Sequence, residues 1–371
     1  MAVPAVVAVV AVVGGVATTA SADLPEKTPQ EVLALAGASD VTSFSGTVAQ
    51  SSDLGLPDIS GIAGSAGGGS GSGGSSGSGS SGSDAAGAFD ATSALELLTG
   101  SHTARVYANG ADKVRVQVLD QLAERDVVRN GDDLWLYDSN DSSAVHSTLP
   151  AESDAASSDV PTTIPTPDEL AAEFLSAVDP TTDVSLGADT SVAGRSAYDL
   201  VLTPRTEATL VGSVSIAVDS ETGMPLQVEV FARGVSSPAF EVGFTDLSLD
   251  APSASLFDFT PPAGTDVTEK DLSGAGHDGT GPVAGGAASG TGAADADKPV
   301  VTGEGWDAIV ETTIGGDLSD LTSNPLFAQL AAPVAGGSAL QTTLVSVLLT
   351  DDGRLLAGAV PIDALQAAAA R

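Results

Sequence analysis

The sequence contains no cysteine, which excludes disulfide bonds, thiolate chemistry, zinc–thiolate sites and a lipid anchor on an N-terminal cysteine. Basic residues are also scarce, with 13 Lys and Arg against 49 Asp and Glu and a formal net charge of -36 at pH 7. Nucleic acids and anionic membrane surfaces both attract proteins through Lys and Arg side chains. The composition therefore argues against nucleic acid as a partner and is typical of a strongly hydrated, acidic surface.

Groups that carry catalysis are few as well. The chain has three histidines, of which His102 and His146 border predicted strands and His277 lies in a Gly-rich stretch. No H-E-x-x-H pair or phosphate-binding loop is present, and no predicted strand–turn–helix segment carries a G-x-S-x-G elbow. The segment DSNDS at 138–142 begins like a calcium loop, but Ser143 stands where that loop requires glycine. We therefore expect no cofactor, no bound metal and no enzymatic activity.

An apolar run occupies the N-terminus, in residues 1–22, and is too short to cross a membrane comfortably. It ends in Ala20-Ser21-Ala22, an A-x-A pattern typical of signal-peptide cleavage. We expect a signal peptide, with the mature chain beginning at Asp23 and exported to an extracytoplasmic space. The basic residues usual at the start of a signal peptide are missing, so a retained N-terminal membrane anchor is the alternative.

Two stretches of low complexity divide the chain. Residues 64–87 consist almost entirely of Gly, Ser and Ala, and residues 263–297 are rich in Gly, Ala, Thr and Asp. Such compositions are typical of flexible linkers. The first stretch contains a G-x-G-x-x-G match, but no strand leads into it and no helix follows, so it does not indicate a nucleotide site. We predict one domain over 23–262, interrupted by the first stretch, and a second domain over 298–371.

Residues 101–249 alternate between apolar and polar side chains, which is the period of β-strands with one buried face. Asn109-Gly110 and Asn130-Gly131 separate pairs of such strands and are typical of tight hairpin turns. An antiparallel sheet that is covered on one face only has this pattern. The alternation places on the apolar faces of their strands Tyr198, Leu200, Val214, Ile216, Val218, Leu226, Val228 and Phe240.

About ten strands exceed what a flat sheet carries without curling, so we expect the sheet to be strongly curved. Two segments predict helices that cover its apolar face. The first opens with Thr28 and Pro29, and Glu31 completes a capping box with Thr28. The second opens at Thr166 and carries an apolar stripe that includes Phe174. The predicted fold class is mainly β, a curved antiparallel half-barrel covered by helices.

The C-terminal region predicts a separate, small α+β unit. Residues 340–358 are predicted to form two strands joined by a turn at Asp352-Gly353. A helix is predicted from about Pro361, and the segment VVTGEGWDAIVET, at 300–312, precedes these elements in the unit.

The order of these elements resembles the lipoprotein-carrier superfamily, which contains LolA, LolB and the sigma-factor regulator RseB. The resemblance covers residues 24–262 and is carried by NGDDLWLYD, GRSAYDLVLTP, VSIAVDSETGMPLQVEVF and FEVGFTDLSLD. The C-terminal unit, with LVSVLLTDDGRLLAGAV, is similar in position and size to the second domain of RseB. The resemblance implies an incomplete, strongly curved β-barrel whose apolar concavity, beneath its helices, receives acyl chains.

The apolar face is the predicted ligand site, since each buried methylene contributes about 0.8 kcal/mol and a long acyl chain needs no polar anchor. The same side chains would serve equally well as a dry core, so both interpretations stay open. Trp135 and Tyr137 alternate with Leu134 and Leu136, so the pattern does not tell which pair faces the apolar side. The candidate ligand-binding residues are Val116, Trp135, Tyr137, Phe174, Tyr198, Leu200, Val214, Ile216, Val218, Leu226, Val228 and Phe240.

From the resemblance we expect an exported protein that holds the acyl chains of a lipid or lipoprotein and carries them across the extracytoplasmic space. A sorting transporter would then be a partner. The alternative, which the second unit favours, is an RseB-like sensor that regulates a membrane anti-sigma factor. A cell-envelope protein without a ligand is the third hypothesis.

Overall fold

The computed structural model describes residues 24–55, 100–119, 124–149, 166–167, 171, 181–271, 299–313 and 330–371. The predicted signal peptide, the stretch at 64–87 and Phe174 lie outside these described residues. Strands dominate the described chain and form two separate sheets. Among the same residues, no helix is long and apolar enough to cross a membrane.

Thirteen strands form the large sheet, which is open and curved. They are β1 (Ser43–Ser52), β2 (Gly100–Asn109), β3 (Lys113–Leu119), β4 (Glu124–Asn130), β5 (Asp133–Asp138), β6 (Ser143–Thr148), β7 (Thr182–Leu186), β8 (Thr190–Val192), β9 (Arg195–Pro204), β10 (Val211–Asp219), β11 (Pro225–Ala232), β12 (Pro238–Ser248) and β13 (Asp266–Asp271). Their order is β13-β6-β5-β4-β3-β2-β1-β12-β11-β10-β9-β7, and β8 also pairs with β9. Neighbouring strands are antiparallel, except that β13 pairs with β6 in parallel. The predicted curved antiparallel half-barrel is thus confirmed.

The two predicted Asn-Gly hairpins are present. Gly110 connects β2 to β3 with φ +77°, and Gly131 connects β4 to β5 with φ +64°. Tight hairpin turns need this left-handed backbone conformation, which glycine adopts without a steric penalty. These short-range signals therefore determine the pairing of β2 with β3 and of β4 with β5.

Helix α1 (Pro29–Gly37) packs against the apolar face of the large sheet. The Glu31 N–H donates to the Thr28 hydroxyl, and the Thr28 N–H donates to the Glu31 carboxylate at 2.7 Å, so the predicted capping box is present. Val32 is fully buried in the core of the large sheet. At the turn between β10 and β11, Gly223 has φ +75°, and a Cβ there would lie 2.2 Å from the Leu35 carbonyl oxygen. Glycine therefore allows the turn to approach the helix closely.

Six strands form the small sheet, in the order β14-β15-β19-β18-β17-β16. They are β14 (Val300–Thr302), β15 (Ile309–Thr313), β16 (Ala332–Val334), β17 (Gly337–Gln341), β18 (Ser346–Thr350) and β19 (Arg354–Gly358), and helix α2 (Ile362–Ala369) follows them. Leu348, Leu356 and Leu365 form the centre of a core between this sheet and the helix. The predicted small α+β unit is therefore present, with its turn at Gly353 and its helix beginning after Pro361.

The end of the first domain lies later in the chain than the sequence suggested. The composition predicted a linker at 263–297, but β13 occupies Asp266–Asp271 and forms one edge of the large sheet. Its sequence, DVTEKD, is almost entirely polar. An edge strand with little buried surface lacks the apolar alternation that reveals an inner strand, so composition alone misassigned it.

The small sheet packs against the large sheet. Leu344, in the loop between β17 and β18, is buried in the core of the large sheet. Trp306 packs against the same core, and its indole N–H donates to the Thr182 hydroxyl at 2.8 Å. The Ala359 carbonyl accepts a hydrogen bond from the Thr209 hydroxyl at 2.7 Å. Apolar and polar contacts thus join the two units.

Candidate functional site

The strand register brings most of the predicted ligand-binding residues onto one face of the large sheet. Leu200, Ile216 and Val228 lie directly opposite one another on β9, β10 and β11, and Val228 lies opposite Val242 on β12. Strand alternation places the neighbouring candidates on the same face. The candidates collected on these strands are Tyr198, Leu200, Val214, Ile216, Val218, Leu226, Val228 and Phe240.

Val116 belongs to the same face, at the other side of the sheet. It lies opposite Val106 on β2, which in turn lies opposite Gly46 on β1. Two residues further along β1, Val48 lies opposite Phe244 on β12. The apolar face is therefore continuous from β3, through β2, β1, β12, β11 and β10, to β9.

Trp135 and Tyr137 do not share this face. Val116 lies opposite Val127, and Val127 lies opposite Leu136, so Leu136 is the residue of this strand that the register places on the apolar side. The two rings point to the opposite, polar face, because side chains alternate along a strand. The alternation in the sequence left the face of these rings open, although both were among the candidate ligand-binding residues, and the register places them away from the apolar face.

The apolar face is covered by the protein's own groups, since Leu200, Ile216 and Val228 are all 0% exposed. Helix α1 supplies part of the cover. The Tyr198 hydroxyl donates to the Pro25 carbonyl at 3.0 Å, which ties the segment before the helix to β9. Ligand binding at this face would require these covering groups to move aside.

Three further residues at this face were not predicted from the sequence. Gln50 is a polar residue that is only 2% exposed and lies opposite Val242. Val32 contributes from helix α1, and Leu344 from the small sheet. The capping box already predicted the helix that carries Val32. For Gln50 and Leu344 no sequence signal existed, because their burial depends on contacts between distant segments.

The polar face of the large sheet carries two open cavities of about 460 and 250 Å³, which share Asp199, Ser215 and Glu229 in their walls. Burial raises the pKa of Glu229, and the charges of Glu241 and Asp199 raise it further. Burial also raises the pKa of Asp199, although a hydrogen bond from the Ser215 hydroxyl opposes this effect. Within the described ranges, no group of three or more acidic or histidine side chains is arranged to hold a metal ion.

No protein-family model and no curated protein matches the chain. Among solved structures, the MucA/MucB complex of Pseudomonas aeruginosa is similar at 17% identity and a TM-score of 0.39, covering 91% of this chain and 96% of that chain. A crystal structure of MucB is similar at 17% identity and a TM-score of 0.40, covering 91% and 94%. A LolA superfamily protein from Nitrosomonas europaea is similar at 13% identity and a TM-score of 0.23, covering 63% and 99%.

Proposed function

We propose that this chain is an exported binding protein, not an enzyme, which holds the acyl chain of a lipid or lipoprotein on the apolar face of its large sheet. The observation that carries the proposal is the continuity of that face across seven neighbouring strands, β3 to β9 in the sheet order. A long acyl chain needs an extended apolar surface, and each buried methylene contributes about 0.8 kcal/mol. Carriage of the acyl chain across the extracytoplasmic space is the use that we propose for this binding.

The cover over the face has the properties of a displaceable lid. Helix α1 is only nine residues long, and an isolated helix of this length is marginal in water. Its position therefore depends on packing against the sheet and on a few tethers, such as the hydrogen bond from Tyr198 to Pro25. An acyl chain that displaces α1 covers the apolar face of the sheet in place of the helix side chains. Because the face stays buried, replacing the helix with the acyl chain costs little net free energy.

A pair of adjacent substitutions tests the proposal. The protein is stripped of co-purified lipid and titrated with a fluorescent fatty acid. Leu200→Phe adds volume on the apolar face and is expected to weaken uptake, whereas Val201→Phe places the same ring on the opposite face of β9 and is expected to leave uptake unchanged. Uptake driven by apolar burial should also be nearly independent of salt.

Overpacking a core costs about 1–3 kcal/mol, so urea denaturation of both variants must accompany the titration. A loss of uptake by Leu200→Phe that exceeds its loss of stability supports a ligand site. The proposal fails if the delipidated protein takes up no acyl probe, or if both variants lose uptake equally.

The docked small sheet favours a second candidate function, a sensor that responds to acyl binding and regulates a membrane anti-sigma factor. Leu344 and Trp306 contact the same core that the ligand would enter, so movement of the cover can reach the small sheet. The chain has two tryptophans, and a Trp135→Phe variant leaves Trp306 as the only one. A change in Trp306 emission on binding a non-fluorescent fatty acid supports the sensor, whereas binding without any change supports the plain carrier.

A further inference from the structure

The segment between β12 and β13 crosses the polar face of the large sheet. Arg115, on β3, donates a hydrogen bond to the Leu256 carbonyl at 3.1 Å. The ring of Phe259 lies 5.6 Å from the ring of Trp135 and 5.7 Å from that of Tyr137, measured between centroids. The rings of Trp135 and Tyr137 therefore anchor the crossing segment on this face. The segment leads into β13, which forms the edge of the sheet beside β6.

One side chain joins three strands at this edge. The imidazole of His146, on β6, contacts the Glu269 carboxylate of β13 through Nδ1 at 2.8 Å. Its Nε2 contacts the Asp133 carboxylate of β5 at 3.0 Å. The ring also stacks on Trp135, with 4.2 Å between centroids and 20° between planes. His146 thus connects the edge strand to the inner part of the sheet.

Both contacts require the protonated ring. A carboxylate only accepts hydrogen bonds, and a neutral imidazole has one N–H, so it can donate to Asp133 or to Glu269 but not to both. The imidazolium donates from both nitrogens and also attracts both negative charges. Deprotonation therefore removes one of the two hydrogen bonds and the ionic attraction in both.

The charged groups around His146 favour the protonated form. Asp133 faces it from β5 and Glu269 from β13, while Lys270, the next residue of β13, lies on the opposite face by strand alternation. Asp258, on the crossing segment, accepts a hydrogen bond from Asn130. Burial lowers the pKa of His146, but the hydrogen bonds and charges of the two facing carboxylates outweigh burial and raise it above 6.5.

We propose that His146 is a pH-sensitive latch that fastens β13 to the large sheet when protonated and loosens it when neutral. The stabilisation of the docked strand is complete below the ordinary histidine value of about 6.5 and is lost as the pH rises through the higher value of the folded protein. Because β13 precedes the chain that leads to the small sheet, loosening it lengthens the tether between the two units. The latch lies on the polar face and does not depend on acyl binding.

Hydrogen exchange at the amides of β13 tests the latch, with each rate corrected for its intrinsic pH dependence. We expect protection of β13 to fall as the pH rises from 5.5 to 9, with the midpoint at the His146 pKa found from the ring resonances by NMR. One unit of difference between docked and undocked pKa corresponds to a tenfold change in the docking equilibrium. The amides of β1, in the middle of the sheet, should keep constant protection.

Two variants decide the result. His146→Gln cannot titrate, so its β13 protection should be independent of pH, and the same pH profile as the wild type would overturn the proposal. If His146→Gln fails to fold, Glu269→Gln still tests the latch. It alters a side chain that is 73% exposed and should therefore leave folding intact. It should lower the His146 pKa and move the β13 transition to lower pH, and an unchanged transition would equally overturn the latch.

Discussion

Glu229 and Glu241 lie directly opposite each other on β11 and β12, so two carboxylates meet on the polar face of the large sheet. Like charges in opposite positions destabilise a sheet. The Glu241 carboxylate accepts a hydrogen bond from the Gln227 side chain at 2.7 Å, whereas Glu229 stands among charges of its own sign. The two glutamates therefore contribute differently to stability.

Replacing Glu229 with Gln is expected to stabilise the fold at pH 7 by about 0.5–1 kcal/mol, because it removes the repulsion without changing the shape of the side chain. Because the pKa of Glu229 is raised above its ordinary value of 4.5, the penalty grows as the pH rises above 4.5 and is complete above the raised value. The gain should therefore vanish in acid, where wild-type Glu229 is already neutral. Urea denaturation at pH 7 and pH 4 measures both effects.

Glu241→Gln serves as the matched control and should gain less, since it weakens the hydrogen bond with Gln227. Equal gains for both variants, or a loss for Glu229→Gln at pH 7, would contradict this account of the polar face.

Asp219→Asn is expected to destabilise the protein by about 3 kcal/mol, because it breaks a buried ion pair. Asp219 is 1% exposed and accepts two hydrogen bonds from Arg195, at 2.9 and 2.8 Å, and further ones from Thr222. Burial raises the pKa of Asp219, but Arg195 and Thr222 outweigh burial and lower it below 3.8. Its contribution is thus present above pH 3.8 and lost as the pH falls through the lower value of the folded protein. Denaturation curves between pH 2 and pH 6 should converge for wild type and variant in strong acid; a constant difference would contradict the prediction.

Ser346→Ala is expected to leave stability unchanged or to raise it by about 1 kcal/mol. Among the described residues, the Ser346 hydroxyl is a buried oxygen without a hydrogen-bond partner, and such a group retains its full desolvation cost. Thr350→Val, on the same strand, is the control, because the Thr350 hydroxyl accepts a hydrogen bond from the Arg354 N–H at 2.9 Å. That variant should lose about 1 kcal/mol. Thermal unfolding of both variants distinguishes an orphaned hydroxyl from a satisfied one.

Gly223→Ala is expected to destabilise the contact between the large sheet and helix α1. The new Cβ meets the Leu35 carbonyl oxygen and also imposes the left-handed backbone penalty of about 1–2 kcal/mol. Gly194→Ala is the control, since Gly194 has φ +76° but no atom within 4 Å of the added Cβ. Any loss beyond that of the control measures the helix contact. If α1 is a lid, Gly223→Ala should also take up the acyl probe faster, and uptake at the wild-type rate would contradict the lid.

The sequence by itself indicated most of the strands, the tight turns between them and the class of the fold. Alternation in Leu200, Ile216 and Val228 indicated which side chains are buried, and the glycines at 110 and 131 indicated hairpins, because both signals act between residues that are close in the chain. The capping box of Thr28 and Glu31 indicated α1 for the same reason. The local pattern gave no information about β13, because its polar side chains do not alternate with apolar ones.

Only the tertiary structure decided how these elements meet. Trp135 and Leu136 are adjacent and both apolar, so the sequence could not tell which of them faces the apolar side. Pairing with β4 decided it, and the ring of Trp135, on the polar face, contacts Phe259. The contact between His146 and Glu269 joins residues 123 positions apart, and the burial of Leu344 in the large sheet joins two separate units. Such contacts depend on chain topology and on the closure of long loops, which no period in the sequence encodes.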